Sequence, residues 1–335
     1  MNNNYSEELL RALMAAAERG GGEVIIPAGR HVIGPEPIEA DVSNVHLRGE
    51  GKGASILAIE ETPSTRRPLL LLRGNNWSVS DLTIDCADFY PDADRRYAAL
   101  GGNGDGIAIH DVEVRRMGRV GIVVGSSSSF RIENCDISLT TPDSSLNSGI
   151  VIPKNVPTAG GIIKGNRLFN TIMQIAGRNH QLIGNICKVW KFGAAIFTTW
   201  GSSGMLIEGN DLSGGVGRDV NNTWCLSIEC WSRDTIIAHN RCYDNEGSGL
   251  STGAPHCAIV GNVCSNNRLN GIGARHEGIK ENDWPQSAHH NVFLGNQSFN
   301  NGWYGYSEQH PGLVGIQHAA NCYTPNTLGD MRIPT

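Results

Sequence analysis

Short β-prone apolar runs recur along this chain, each closed by a polar turn. In the second half six of them, IIKGN, LIGN, LIEGN, IIAHN, IVGN and FLGN, end on Asn166, Asn185, Asn210, Asn240, Asn262 and Asn296. Two places after each asparagine sits a small or apolar residue: Leu168, Cys187, Leu212, Cys242, Cys264 and Ser298. A unit too short to bury its own apolar face must stack on copies of itself, so the recurrence predicts a solenoid of parallel strands. Stacked asparagines fit that prediction, because each amide can bond its neighbours above and below and satisfy turn groups that water cannot reach. They are therefore read as structural.

Other patterns punctuate the repeat. Residues 5–18 (YSEELLRALMAAAE) carry Leu9, Leu10, Leu13 and Met14 at helical spacing, with Ser6 as the expected cap. Three glycines, Gly20 to Gly22, stop this helix, so residues 1–22 are expected to cap the open end of the solenoid. Rungs are predicted over 23–300, and a last rung with a tail over 301–335, in one solenoid domain. Residues 85–105, rich in Asp, Gly and Tyr, interrupt the rungs as a long excursion, after which Cys135 occupies the later asparagine slot. The ladder asparagines are spaced 19, 25, 30, 22 and 34 residues apart. The shortest spacings suit a bare three-sided coil, and the excess falls in insertions at 211–225 and 275–290. Insertions commonly project from one face and build a binding surface.

Composition narrows the partners. A net charge of −6, with no basic block, argues against nucleic acid. No apolar run is long enough to span a membrane. The start, MNNNYSEELL, lacks the layout of a secretory signal, which leaves cytoplasmic, phage-associated and processed secreted origins open. Nine cysteines show no paired metal-ligand spacing, and Cys187, Cys242 and Cys264 fall in one slot of the repeat, where they read as small buried hydrophobes. No metal site is assigned. Asp85, Asp88, Asp92, Asp94 and Asp105 leave Ca²⁺ open, although their spacing is not that of a Ca²⁺-binding loop.

GGGEVIIPAGRHVIG followed by VHLRGEGKGASIL resembles the opening of pectate-lyase-superfamily proteins, and GIAIHDVEVRRMGRVGIVV with the later asparagine rungs resembles their body. The resemblance covers nearly the whole chain and implies an all-β, right-handed parallel β-helix. It is poor in chemistry, since lyases, hydrolases, epimerases, transferases and phage tailspikes share this fold. Secreted alginate epimerases of this layout carry Asp-Pro-His on an early rung, where this chain reads GIVVGSSS. The Asp-Asp and His motifs of polygalacturonase-type hydrolases are also absent. The resemblance implies a poly- or oligosaccharide partner, and a homotrimer packed along the flanks as one form of assembly.

Strand alternation selects candidate residues. In CLSIECW, Leu226 and Ile228 point in and Ser227, Glu229 and Trp231 point out; in GLSTGAPH, Leu250 and Thr252 point in and Ser251 and Gly253 out; in GIGARHEG, Ile272 and Ala274 point in and Gly273, Arg275 and Glu277 out. Stacked, these rungs predict one outward column of Glu229, Gly253 and Arg275, with the two charges roughly 10 Å apart across a glycine floor. Glu229, expected to lack a charged partner, is the first catalytic candidate, suited to general-acid use. A glycosidase needs a second carboxylate, for which Asp219, Asp234 and Glu277 are the choices. Arg275 and His276 could instead serve a lyase, as the cation for a uronate carboxylate and the base for its C5 proton. Trp200 and Trp231 are the expected sugar-stacking residues among five tryptophans (with Trp190, Trp224 and Trp284) clustered here, and Ser251, Asp234 and His256 complete the binding set.

The tryptophan-rich face, the few outward cations and the acidic balance favour a glycosidase or transglycosidase acting on a neutral or weakly charged glycan. A polysaccharide lyase comes second. A non-catalytic glycan-binding or tailspike-like protein is the third reading.

Overall fold

The computed structural model describes residues 5–61, 67–88, 98–140, 147–217, 225–281, 284–308 and 312–334, with the backbone alone over 276–281 and 284–286. The chain folds as two compact units, Met1–Thr141 with Asn147–Phe169 and Pro142–Leu146 with Asn170–Thr335.

The first unit opens with the helix Tyr5–Glu18, which buries Leu9, Leu13 and Ala16. Met14, expected on that face, is 39% exposed. Ser6 does not cap the helix; it lies inside it, and its hydroxyl accepts the Gly34 N–H at 3.0 Å, tying helix to strand. Behind the helix, strands stack in parallel. One face comprises Ile38–Asp41, Leu70–Arg73, Ala98–Asn103, Val120–Val124 and Ser148–Ile152. Strand Ser78–Asp85 serves two further faces, pairing with Val45–Arg48 at one end and Ser55–Ile59 at the other. The bend falls at Asp81, whose φ of 56° places it in the left-handed region that short polar side chains tolerate.

The excursion expected over 85–105 is overturned at both ends, since Asp85 closes strand Ser78–Asp85 and Ala98–Asn103 is a regular rung; Asp85 is a buried anchor. It pairs with Arg115 at 3.1 Å, with Arg116 at 2.6 Å and with Arg30 at 3.7 Å. Burial raises its pKa, but hydrogen bonds from Arg116 and the Ala87 N–H, with the charges of Arg116 and Arg115, outweigh it and hold the carboxyl below the usual range. Asp88 accepts the Thr140 hydroxyl and Asp105 the Ser128 N–H. Asp92 and Asp94 lie outside the described residues. Among the described residues no three His, Cys, Asp or Glu side chains converge as a cation site.

In the second unit each turn of chain adds one strand to each of three parallel stacks. The first stack is Ile172–Ile175, Gly193–Thr198, Cys225–Cys230, Ser248–Thr252, Ile272–Ala274, Tyr304–Glu308 and Gly329–Arg332. The second runs from Gln181–Ile183 to Gln317–Ala319, the third from Ile186–Lys191 to Gln297–Phe299. The ladder turns the chain between the second and third stacks. Asn240 donates both its backbone N–H (3.0 Å) and its amide (2.9 Å) to Asn262 Oδ1, and Asn262 repeats this towards Asn296 at 3.0 Å. The residue before each asparagine has positive φ, at Gly209, Gly261 and Gly295 for example, which is why GN recurs in the sequence. Cys135, in the first unit, occupies the equivalent place: its N–H bonds Asn166 Oδ1 at 3.0 Å. Cys187, Cys242 and Cys264 are fully buried thiols.

The ladder continues to Asn321, and a second one, absent from the sequence reading, turns the chain into the first stack. Asn245 donates to Asn267 Oδ1 at 2.7 Å, Asn267 to Asn301 at 2.9 Å and Asn301 to Asn326 at 2.9 Å. All but Asn326 are buried.

A buried histidine is expected to make this unit acid-sensitive. His180 has no exposed surface, and burial pushes its imidazole down to about 4 against an ordinary value near 6.5. A depressed folded pKa gives stability that is complete above the unfolded value and is lost as pH falls towards the folded one. Urea unfolding should therefore show about 3 kcal/mol lost between about pH 6.5 and 4 through this group, and His180→Gln should flatten that slope. An unchanged slope in the variant counts against the assignment.

Candidate functional site

The outer surface of the first stack carries the candidate residues. Ile228, Leu250 and Ile272 align across adjacent rungs and are fully buried, as are Thr252 and Ala274. Alternation then sends Glu229 outward, as predicted. Its column differs from the expected one. Glu229 pairs in register with Phe197 before it and Ser251 after it, followed by Gly273 and Ser307. Gly253 and Arg275 belong to the next column, level with Trp231: the Gly253 N–H bonds Cys230 O and the Arg275 N–H bonds Thr252 O. The slip is two residues, which preserves the face while changing the neighbours.

Two further expectations are corrected. Glu229, expected on the outer surface, is only 2% exposed, and it does have a charged partner. Arg275 Nη1 donates to Glu229 Oε1 at 2.9 Å, where about 10 Å was anticipated. The Trp231 indole N–H donates to the same oxygen at 3.2 Å. Trp231 can lie back because Gly253 has no side chain: a Cβ there would collide with the indole ring. Trp231 is thus outward yet almost wholly buried.

Above it, Trp200 is half-buried, its ring 5.7 Å from Trp231, and the half-buried Phe197 meets Trp200 edge-on at 6.0 Å. These three rings form an aromatic cluster beside the Glu229–Arg275 pair. The Ser251 hydroxyl, next to Glu229 on the following rung, is buried and makes no hydrogen bond among the described residues. A buried hydroxyl in that state can both donate and accept towards a ligand.

The remaining candidates fall elsewhere. Asp234 and His256 sit at the next corner, both at positive φ, and pair with each other at 3.4 Å. Asp234 also meets Arg233 at 3.4 Å, and His256 lies 5.6 Å from the His290 ring. Asp219 lies outside the described residues. His276 and Glu277 begin an antiparallel hairpin, His276–Glu281 with Trp284–Ser287, which leaves the rung directly after Arg275. Their side chains, and that of Trp284, are outside the description, as is Trp224. Trp190 is fully buried and is core packing. Phe197 was not anticipated, although GAAIFT places it in the same alternating slot as Glu229.

A family model described as the right-handed β-helix region matches residues 98–276, just over half of the chain. The chain belongs to the right-handed β-helix family. Curated proteins give no significant sequence match to this β-helix. Among solved structures it is similar to the A-module of the Azotobacter vinelandii mannuronan C-5 epimerase AlgE6, with 16% identity over 99% of this chain and 96% of that one and a TM-score of 0.67. It is also similar to PfbA, a surface adhesin of Streptococcus pneumoniae, with 13% identity over 96% and 90% of the two chains and a TM-score of 0.67. For the Dettilon tailspike protein the values are 13%, 98% of this chain, 65% of that one, and 0.65. Identities this low carry the fold alone.

Proposed function

We propose that this β-helix acts on a poly- or oligosaccharide laid along the outer face of the first stack, cleaving or rearranging glycosidic bonds at Glu229. The observation that carries the reading is the buried carboxylate held by Arg275 and Trp231 beside the partly exposed rings of Phe197 and Trp200. Indole and phenyl faces take the C–H faces of sugar rings, and the Ser251 hydroxyl can bond a ring substituent. Two N–H donors converge on Glu229 Oε1, an arrangement that suits a carboxylate acting as nucleophile or base more than as the proton donor first expected. The acid then comes from a second carboxylate, for which Asp219 and Glu277 are the candidates. Similarity to β-helices whose names include a mannuronan C-5 epimerase and an alginate epimerase supports the carbohydrate reading at this coarser level.

One observation favours a second reading, a non-catalytic glycan-binding protein. Glu229 is nearly inaccessible, and the adhesin and tailspike are matched as well as an epimerase module. A lyase is less supported, since Arg275 already neutralises Glu229 and is not free for a uronate.

Incubation with a panel of neutral and uronate polysaccharides, followed by product mass spectrometry, decides. Hydrolysis adds one water per break and transfer conserves the bonds. Elimination leaves an unsaturated product absorbing in the far ultraviolet, which would overturn the glycosidase reading. Saturable binding with no product over days would establish the second reading instead.

A further inference from the structure

A separate shallow, open depression of about 450 Å³ lies at the corner where the second asparagine ladder turns the chain into the first stack. It is lined by the side chains of Asp244, Glu246, Asn266, Arg268 and Asn300, with Gly302 at its edge. All five side chains are exposed. Asp244, Asn266 and Asn300 stand at equivalent places on three successive rungs, with φ of 55°, 55° and 56°. The buried asparagines that follow them, Asn245, Asn267 and Asn301, consume the corner's backbone groups in hydrogen bonds along the helix axis. The wall of the depression is therefore rigid before any ligand arrives, which lowers the ordering cost of binding.

Among the described residues, the side chains of Asp244, Asn266, Arg268 and Asn300 make no hydrogen bond or ion pair, and only Glu246 is engaged, accepting the Gly217 N–H at 2.8 Å. The chain thus presents planar carboxylate, amide and guanidinium groups in one concavity, at rung intervals of about 4.8 Å, the scale of one sugar ring. Such groups accept and donate in pairs to adjacent hydroxyls.

We infer that this corner is a second saccharide-binding site, taking a neutral pyranose unit through its vicinal hydroxyls. With two carboxylates and one guanidinium in the depression, a neutral sugar fits better than an anionic one. Glu246 precedes Ser251 by five residues on one rung, so at strand rise the depression lies roughly 15 Å from the Glu229 column. It goes beyond the proposed reaction and would hold a chain whether or not that chain is cut.

The test is titration of the full chain with maltose, cellobiose, laminaribiose and mannobiose, followed by saturation-transfer NMR and by chemical shifts of the Asn266 and Asn300 amides and Arg268 Nε. At least one disaccharide should shift those signals saturably. Arg268→Ala and Asp244→Asn, both outside the ladder, should keep the melting temperature and weaken binding tenfold or more, while Trp231→Ala should leave these shifts in place. Saturable binding that Trp231→Ala abolishes and Arg268→Ala does not would overturn this inference and leave the proposed function standing. No saturation by any of the four sugars would overturn it as well, and the fate of the proposed function would still be read from polysaccharide products.

Discussion

Asn262→Ala should destabilise the second unit by roughly 3–6 kcal/mol, the largest stability loss of any single polar substitution considered. The change strands two buried donors, since the Asn240 N–H and amide both point at Asn262 Oδ1. It also removes the amide donor to Ile237 O at 2.8 Å and to Asn296 Oδ1 at 3.0 Å, leaving only the residue 262 backbone N–H on Asn296. Each buried group left without a partner costs about 1–3 kcal/mol, and water cannot enter a column with no exposed surface. Asn262→Asp should be no better, because it keeps the acceptor while burying a charge and losing both amide donations. Guanidinium unfolding, with Arg268→Ala as the exposed control, measures this. A loss below about 1 kcal/mol would mean that the ladder is decoration and that apolar stacking of residues such as Cys242 on Cys264 carries the corner.

That ladder was legible because its geometry demands one residue type after one backbone conformation, so GN repeats almost unchanged. The second ladder was less legible for a physical reason. The residue ahead of each buried asparagine has the same left-handed backbone but is outward and filled by Asp or Asn instead of Gly, giving DN, NN and NN at 244, 266 and 300, which do not stand out as GN does. Alternation gave the inward residues Leu226, Ile228, Leu250 and Ile272, which are buried as expected, but Ser227, expected outward, is fully buried and bonds Leu212 O and the Asn245 amide. Register did not follow, because a two-residue slip leaves every face unchanged. The cover over Glu229 was also illegible. It depends on an indole folding onto a glycine one rung away and a guanidinium reaching back from two rungs away, contacts set by stacking alone. Burial of a carboxylate is a property of its neighbours in space, and the strand on which Glu229 lies says nothing about them.

The second large effect is expected at the Glu229–Arg275 pair, where stability and activity must be read separately. Glu229→Ala and Arg275→Ala should each cost about 3–5 kcal/mol, because either leaves a buried charge without its counter-ion. Glu229→Leu combined with Arg275→Met should cost far less than the sum, since no charge then remains to solvate. That pattern alone would describe a structural ion pair. Catalysis adds a distinct signature: Glu229→Gln keeps the side-chain shape and an acceptor for the Trp231 indole, yet should lower kcat by about a hundredfold or more on any substrate found in the panel, with KM little changed. The assay belongs at a temperature where circular dichroism shows the variant folded. Full turnover in Glu229→Gln, beside the expected loss of stability, would move Glu229 from the reaction to the scaffold and leave the aromatic cluster as a binding surface.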